Sequence, residues 1–192
     1  MQLLPDQPEA KGMLALIHYA EARRPARRDG SGAFVPLEQQ NTGLWDVPRI
    51  DRAETLLHVA NQGGPSGRYQ IEAAIQSAHV ARRLSGQASW PAIVALYGHL
   101  QTIVASPVVA LNHAAALAET EGAPVAHDRI VALAGDPRMA TYQPYWATRG
   151  QLAARAGRKD DAYEALTLAI GLSSDDAVRQ YLHQQLHGLR DD

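Results

Sequence analysis

The stretch Trp146-Ala147-Thr148-Arg149-Gly150, with Ala162-Tyr163-Glu164-Ala165-Leu166-Thr167-Leu168-Ala169 following it, decides how this chain folds. Counted from Gln143, the residues Trp146, Gly150, Ala162, Leu166 and Ala169 occupy offsets 4, 8, 20, 24 and 27 of a tetratricopeptide unit, a helix-turn-helix repeat of ~34 residues. The small residues stand where two helices must come close. A fainter copy counted from Pro107 places Ala110, Ala114, Leu117, Ala126, Ile130 and Leu133 at offsets 4, 8, 11, 20, 24 and 27, so Ala126 and Ala162 are 36 residues apart. Such units bury one face only by stacking on a neighbour. The expected fold class is therefore all-α: stacked antiparallel helical hairpins, a tetratricopeptide-like α-α superhelix whose surface recognises something.

Composition narrows the function classes. A chain of 192 residues hides roughly 70% of its unfolded surface and needs no covalent staple. With 0 cysteines there is no disulfide, thiolate metal site or cysteine nucleophile, which suits a reducing compartment. A net charge of -2 and a pI near 6.4 give no long-range attraction toward phosphate backbones or anionic lipid. The opening Met1-Gln2-Leu3-Leu4-Pro5-Asp6 lacks the basic and apolar regions of a secretion signal, and no window approaches ~18 uninterrupted apolar residues. The expectation is a soluble cytoplasmic protein that engages neither membrane nor, by itself, nucleic acid.

Outward from the repeat, helical periodicity covers nearly the whole chain. It predicts about nine helices in one domain over 1-192, with N-terminal helices and a long loop in 1-105 and the repeats in 106-192. Pro8 suits the first turn of a helix on which Leu14, Ile17, His18 and Ala22 share a face, ending before Pro25. One long ordered loop near 25-47 follows, carrying Asp29-Gly30-Ser31-Gly32, Phe34-Val35-Pro36-Leu37 and Glu38-Gln39-Gln40-Asn41. Loops of that length in compact domains tend to be functional or disordered, and Phe34, Leu37 and Trp45 argue for order. Later helices show Ile50, Ala53, Leu57 and Ala60 in phase, and Ile93, Leu96, Tyr97, Leu100, Ile103 and Val104 along one side.

The catalytic inventory fails against this frame. His183 and His187 have the i, i+4 spacing of a zinc site, but Gln184-Gln185 stand where a zinc protease places its glutamate base, so they read as a solvated helix end. Gly30-Ser31-Gly32 and Gly63-Gly64-Pro65-Ser66-Gly67 lack the lysine and preceding strand of phosphate loops and read as turns. Asp160-Asp161 and Asp175-Asp176 read as caps at helix starts. The remaining histidines, one per helix, read as surface groups or satisfied core partners. No nucleophile, base and orienter can be assembled. The expectation is a noncatalytic protein with no metal and no cofactor.

Arg23, Arg24, Arg27 and Arg28 form the densest basic cluster, with Arg82-Arg83 a smaller one, and either could contact phosphate. Glu21, Asp29, Glu38 and Asp46 are close in sequence, so an internal ion-pair network fixing the loop is favoured over a phosphate site. Arg23, Arg27, Glu38, Gln40, Trp45, Asp46, Gln70, His79 and Tyr97 are the candidate lining of a small-molecule pocket between the loop and the first helices, because aromatic walls with a few convergent polar groups make such sites. Alternatively, the same residues pin the loop to the body.

An ordered succession of motifs carries a family resemblance. Pro8-Glu9-Ala10-Lys11-Gly12-Met13-Leu14-Ala15-Leu16, Ala22-Arg23-Arg24-Pro25-Ala26-Arg27, Val35-Pro36-Leu37-Glu38-Gln39-Gln40 and Leu44-Trp45-Asp46 resemble the start of the C-terminal extension of one group of bacterial extracytoplasmic-function sigma factors. The resemblance continues through Tyr69-Gln70-Ile71-Glu72-Ala73-Ala74-Ile75, Ala95-Leu96-Tyr97, Ser106-Pro107-Val108-Val109-Ala110-Leu111-Asn112, Gly135-Asp136-Pro137-Arg138, Tyr142 and the 146-169 repeat. The chain departs from the pattern at His113, where arginine is usual, and at Asn41-Thr42-Gly43, which replaces a more charged stretch. No counterpart of the family's promoter-binding regions is visible, so the chain corresponds to the extension alone. The resemblance implies a tetratricopeptide-like regulatory domain that acts through contacts with the sigma factor's DNA-binding regions, with RNA polymerase core, or with a small-molecule ligand.

Overall fold

The computed structural model describes residues 7–191, and the fold is all-α, with no β-strand among the described residues. Ten helices follow in order: α1 Pro8–Ala22, α2 Val47–Ala60, α3 Arg68–Val80, the single-turn α4 Arg82–Ser85, α5 Trp90–Ile103, α6 Pro107–Leu117, α7 Ala123–Val131, α8 Gln143–Arg155, α9 Lys159–Leu172 and α10 Asp176–Asp191. Proline stands in the first turn of α1, α2, α5, α6, α7 and α8, where its missing N–H has no intrahelical acceptor to lose. The chain divides into two compact units: Val35–Ala105 with the chain up to Arg28, and Asp29–Phe34 with the chain from Ser106 onward.

In the first unit, α1 lies on both α2 and α3, and α5 packs on α3. The inward face of α1 is Gly12, Ala15, Tyr19 and Ala22, all buried. The face that periodicity picks out is a different one: of Leu14, Ile17, His18 and Ala22 only Ala22 is fully inside, while Leu14 and Ile17 are 44% and 47% exposed beside Met13 at 44%. Small side chains win the inward position because α1 must nearly touch α3. A Cβ on Gly12 would stand 2.7 Å from the backbone nitrogen of Gln70. The approach has an electrostatic use, since the Glu9 carboxylate of α1 accepts from the N–H groups of Tyr69 (3.1 Å) and Gln70 (3.3 Å) in the first turn of α3. A carboxylate there both satisfies orphan donors and meets the positive end of the helix dipole.

On α5 the expected apolar side is only partly used: Ile93 and Leu100 are buried, whereas Ile103 is 46% exposed and Val104 lies beyond the helix end. The helix meets its unit along a narrower stripe than its hydrophobicity suggests. The loop preceding α2 contains two short 3-10 turns, Leu37–Gln39 and Thr42–Leu44. Trp45 then drops into the core with Tyr19, Ala22, Ile50 and Ala53.

In the second unit, successive helices from α6 to α10 pack on one another. Gly150 of α8 meets α9 so closely that a Cβ would lie 2.7 Å from Leu166 Cγ and 3.1 Å from its backbone nitrogen. Ala162, Leu166 and Ala169 are buried on the facing side of α9. Trp146 is half-buried, with its indole N–H donating to Ala140 O at 2.9 Å and its ring edge-on to Tyr145 at 5.0 Å. From the fainter copy, Ala114, Leu117, Ala126 and Ile130 are buried.

A polar clasp crosses this unit. His127 of α7 is 1% exposed, and its Nε2 lies 2.8 Å from Asp161 Oδ2 of α9, while Arg158 Nη1 lies 2.9 Å from its Nδ1. A guanidinium can only donate, so Nδ1 is the acceptor and Nε2 carries the proton that goes to Asp161. The other Asp161 oxygen accepts from Arg149 of α8, with Nε at 2.9 Å and Nη2 at 2.8 Å. Asp161 therefore ties three helices together, where the sequence pointed to a helix-start cap. Asp175 does cap, accepting from Ala177 and Val178 N–H at 2.9 and 3.3 Å.

Two stability outcomes follow from these contacts. In urea denaturation, Gly150→Val lowers stability by about 2 kcal/mol through overpacking, whereas Gly98→Ala on α5, with nothing within 4 Å, raises it by about 0.5–1 kcal/mol. Asp161→Ala strands the His127 N–H and the Arg149 charge and lowers stability by about 3 kcal/mol, while neighbouring exposed Asp160→Ala stays within about 0.5 kcal/mol of wild type.

Candidate functional site

The most connected side chain of the first unit is Arg82, the opening residue of α4. Its Nη1 donates to Glu38 O, and its Nη2 donates to Leu37 O at 2.8 Å and Gln40 O at 3.2 Å. Its guanidinium also lies 5.3 Å from the Trp45 ring centroid. Charge-assisted bonds to three consecutive-turn carbonyls, plus a cation over an aromatic face, fasten the loop at residues 37–45 to the end of α3. Gly86 at φ 76 then turns the chain out of α4 toward α5, a left-handed position that glycine takes without strain.

Beside this clamp is a cavity of about 230 Å³ lined by Leu37, Glu38, His79, Arg82, Gln87, Ala88 and Trp90. His79 meets Trp90 edge-to-face with ring centroids 5.5 Å apart. Burial, and then the nearby charges of Arg23 and Arg82, push the His79 imidazole down to about 4, so it is neutral above that range. Neither the His79 ring nor the Glu38 carboxylate is hydrogen-bonded among the described residues, and both residues line the cavity.

Of the nine residues expected to line a pocket, the structure brings Glu38 and His79 to this cavity. Arg23 is not in its lining, and donates to Tyr19 O at 3.4 Å and to Gln76 Oε1. Burial, with Arg27 nearby, lowers the Arg23 guanidinium to about 10, and burial raises Tyr97 to about 12. Gln40 contributes its carbonyl to Arg82 and its Nε2 to Val35 O at 3.3 Å, and Trp45 is a core residue. Three lie elsewhere. Arg27 is exposed and donates to Ala20 O at 3.0 Å. Asp46 caps α2, accepting from Arg49 N–H at 3.1 Å and Arg49 Nε at 3.0 Å. Gln70 holds the turn between α2 and α3, donating to Ala60 O (3.1 Å) and Asn61 Oδ1 (3.2 Å) and accepting from Gly67 N–H (3.1 Å).

Arg82 fastens the loop in addition to what the Arg23-Arg28 cluster supplies. Glu21 pairs with exposed Arg24 at 3.3 Å, and Asp29 closes its own turn through Ser31 and Ala33. Arg82, Gln87, Ala88 and Trp90 carried no sequence signal for the cavity beyond the Arg82-Arg83 pair, because they meet Leu37 and Glu38 around it from positions far along the chain. His183 and His187 are both exposed on α10, and no group of three or more metal-ligating side chains occurs among the described residues. No helix among those residues is long and apolar enough to cross a membrane.

Comparison with known proteins places this site in a wider context. Residues 1–61, which take in α1, the loop and α2, match a family of unknown function, DUF6596. The chain is 36% identical over 189 residues to an uncharacterized protein of Rhizobium meliloti (strain 1021), an alignment that covers 98% of this chain and 44% of that protein. The chain thus spans under half the length of that curated relative. No solved structure matches.

A neutral His79 gives the unit a defined acid sensitivity. The unfolded imidazole takes up a proton near its ordinary 6.5, the folded one only near 4, so stability contributed by His79 is present above 6.5 and is lost as pH falls toward 4. Urea midpoints measured across this window fall for wild type and are flatter for His79→Gln, with NMR titration of the ring checking the low value directly.

Proposed function

We propose that this chain is a noncatalytic regulatory and protein-interaction domain of an extracytoplasmic-function sigma factor, controlling transcription initiation through contacts with the sigma factor's DNA-binding regions or with RNA polymerase core. The observation that carries this reading is the ordered motif succession across the chain, which resembles the C-terminal extension of such factors. Three findings support it. The chain aligns with only 44% of a longer relative, leaving most of that protein for other regions. The outward stripe of α1, Met13, Leu14 and Ile17, exposes contiguous apolar side chains of the kind that interaction surfaces use. The packed α8–α9 hairpin suits a tetratricopeptide-like scaffold, which recognises partners by surface rather than by chemistry. In this reading the domain works in the cytoplasm and contacts protein rather than promoter DNA.

Calorimetry of the chain with core polymerase and with the promoter-recognition regions of its sigma factor gives measurable association with one of them. Ile17→Asp weakens that association at least about tenfold if α1 is the contact face. Absence of binding to both counts against the assignment.

A second reading, a small-molecule sensor, is favoured by the cavity beside Arg82. Its lining joins an aromatic wall to a carboxylate, a neutral imidazole and a guanidinium, the mixture that small-molecule sites use. The two readings are compatible, since a ligand-responsive loop can bias a contact surface.

A further inference from the structure

We propose that the cavity beside Arg82 binds a free apolar α-amino acid, its ammonium on Glu38, its carboxylate on Arg82 and His79, and its side chain against Leu37, Ala88 and Trp90. This assignment rests on the sensor reading above and names its ligand class.

Size is the first constraint. About 230 Å³ equals the liquid volume of about eight waters. A molecule of about ten non-hydrogen atoms fills it, well below the ~300–1,000 Å³ of sites for drug-sized ligands. Charge is the second. Glu38 and Arg82 are neighbours, joined through the Glu38 carbonyl, yet no ion pair links the Glu38 carboxylate to the guanidinium or to any other cation among the described residues. An α-amino acid carries opposite charges one carbon apart and meets such adjacent poles together, whereas a simple anion leaves Glu38 facing it and a simple amine leaves Arg82 facing it. Arg82 gives two N–H bonds from Nη2 and one from Nη1 to loop carbonyls, which leaves Nε–H and one Nη1–H on separate edges of the guanidinium, so a ligand carboxylate receives a single bond from it.

The third constraint is His79. As a neutral ring with no hydrogen bond among the described residues, it offers one donor and one acceptor, so it serves a carboxylate without adding charge. Trp90 and Leu37 supply the apolar wall for the side chain. Because Arg82 also holds the carbonyls of Leu37, Glu38 and Gln40, a bound carboxylate fixes the same guanidinium that fastens the loop. Ligand occupancy therefore reduces the opening of residues 37–40.

The test is calorimetry on the whole chain with L-leucine, L-methionine and L-phenylalanine, alongside 4-methylpentanoate, which lacks the ammonium of leucine, and isopentylamine, which lacks its carboxylate. At least one amino acid binds, both leucine analogues bind at least about tenfold more weakly than leucine, and amide hydrogen exchange at residues 37–40 slows on binding. Glu38→Gln, at an exposed position, abolishes the preference for leucine over 4-methylpentanoate while leaving the thermal midpoint unchanged. Ala88→Phe fills the cavity and removes binding of all the probes. Equal affinity for leucine and 4-methylpentanoate, or an unchanged preference in Glu38→Gln, overturns the zwitterion assignment. If none of these amino acids binds but a metabolite screen yields a hit that Ala88→Phe abolishes, the ligand class is wrong and the sensor reading stands. If neither occurs, both fall.

Discussion

Close approach of helix backbones governs this protein. At Gly12 and at Gly150 the space that a β-carbon would occupy is already taken, by the backbone of α3 in one unit and by Leu166 of α9 in the other. Dispersion between such surfaces is gained only when the rods nearly touch, and a single methyl group of separation forfeits much of it. Around each contact the neighbours are alanines: Ala15 and Ala22 on α1, Ala162, Ala165 and Ala169 on α9, each at most 1% exposed. Much of the buried surface is therefore made of small side chains in tight register, which ties stability to shape as much as to hydrophobic mass.

That constraint explains what could be read from sequence. The α8–α9 hairpin was legible because glycine and alanine recur there at the offsets of a known repeat, and α2 because Ile50, Ala53, Leu57 and Ala60 form one apolar stripe. On α1 the same reasoning picks out another side. The helix has two apolar faces, and the bulkier residues Leu14 and Ile17 outweigh Gly12 and Ala15 in any hydrophobicity count. Proximity to α3 reverses the choice, and a single-helix pattern holds no information about a partner nearly 60 residues away.

The candidate site follows the same division. Glu38 and His79 were legible as polar residues near aromatic ones, but Asp46 and Gln70 fit that description equally and prove to be helix-terminus devices. Local capping competes with pocket lining for the same residue types, and only the fold decides between them. Arg82 reads from sequence only as half of a small basic cluster, because its fastening role is entirely nonlocal: its acceptors are backbone carbonyls more than 40 residues earlier, which carry no side-chain signature. His127 and Asp161 lie 34 residues apart and read separately, one as a surface group or core partner and the other as a cap, though they form one bond.

The bond from Glu9 to the start of α3 bears on how the first unit comes together. Gly67, the residue before α3, has no side chain with which to cap its own helix, so the orphan donors of Tyr69 and Gln70 rely on a carboxylate that the chain supplies 60 and 61 positions earlier. In isolation those donors would fall to water; in the folded unit the first turn of α3 and the position of α1 support one another. The same bond closes a segment holding α1, the loop and α2, so it offsets part of that closure's entropic cost and couples the two ends of the unit.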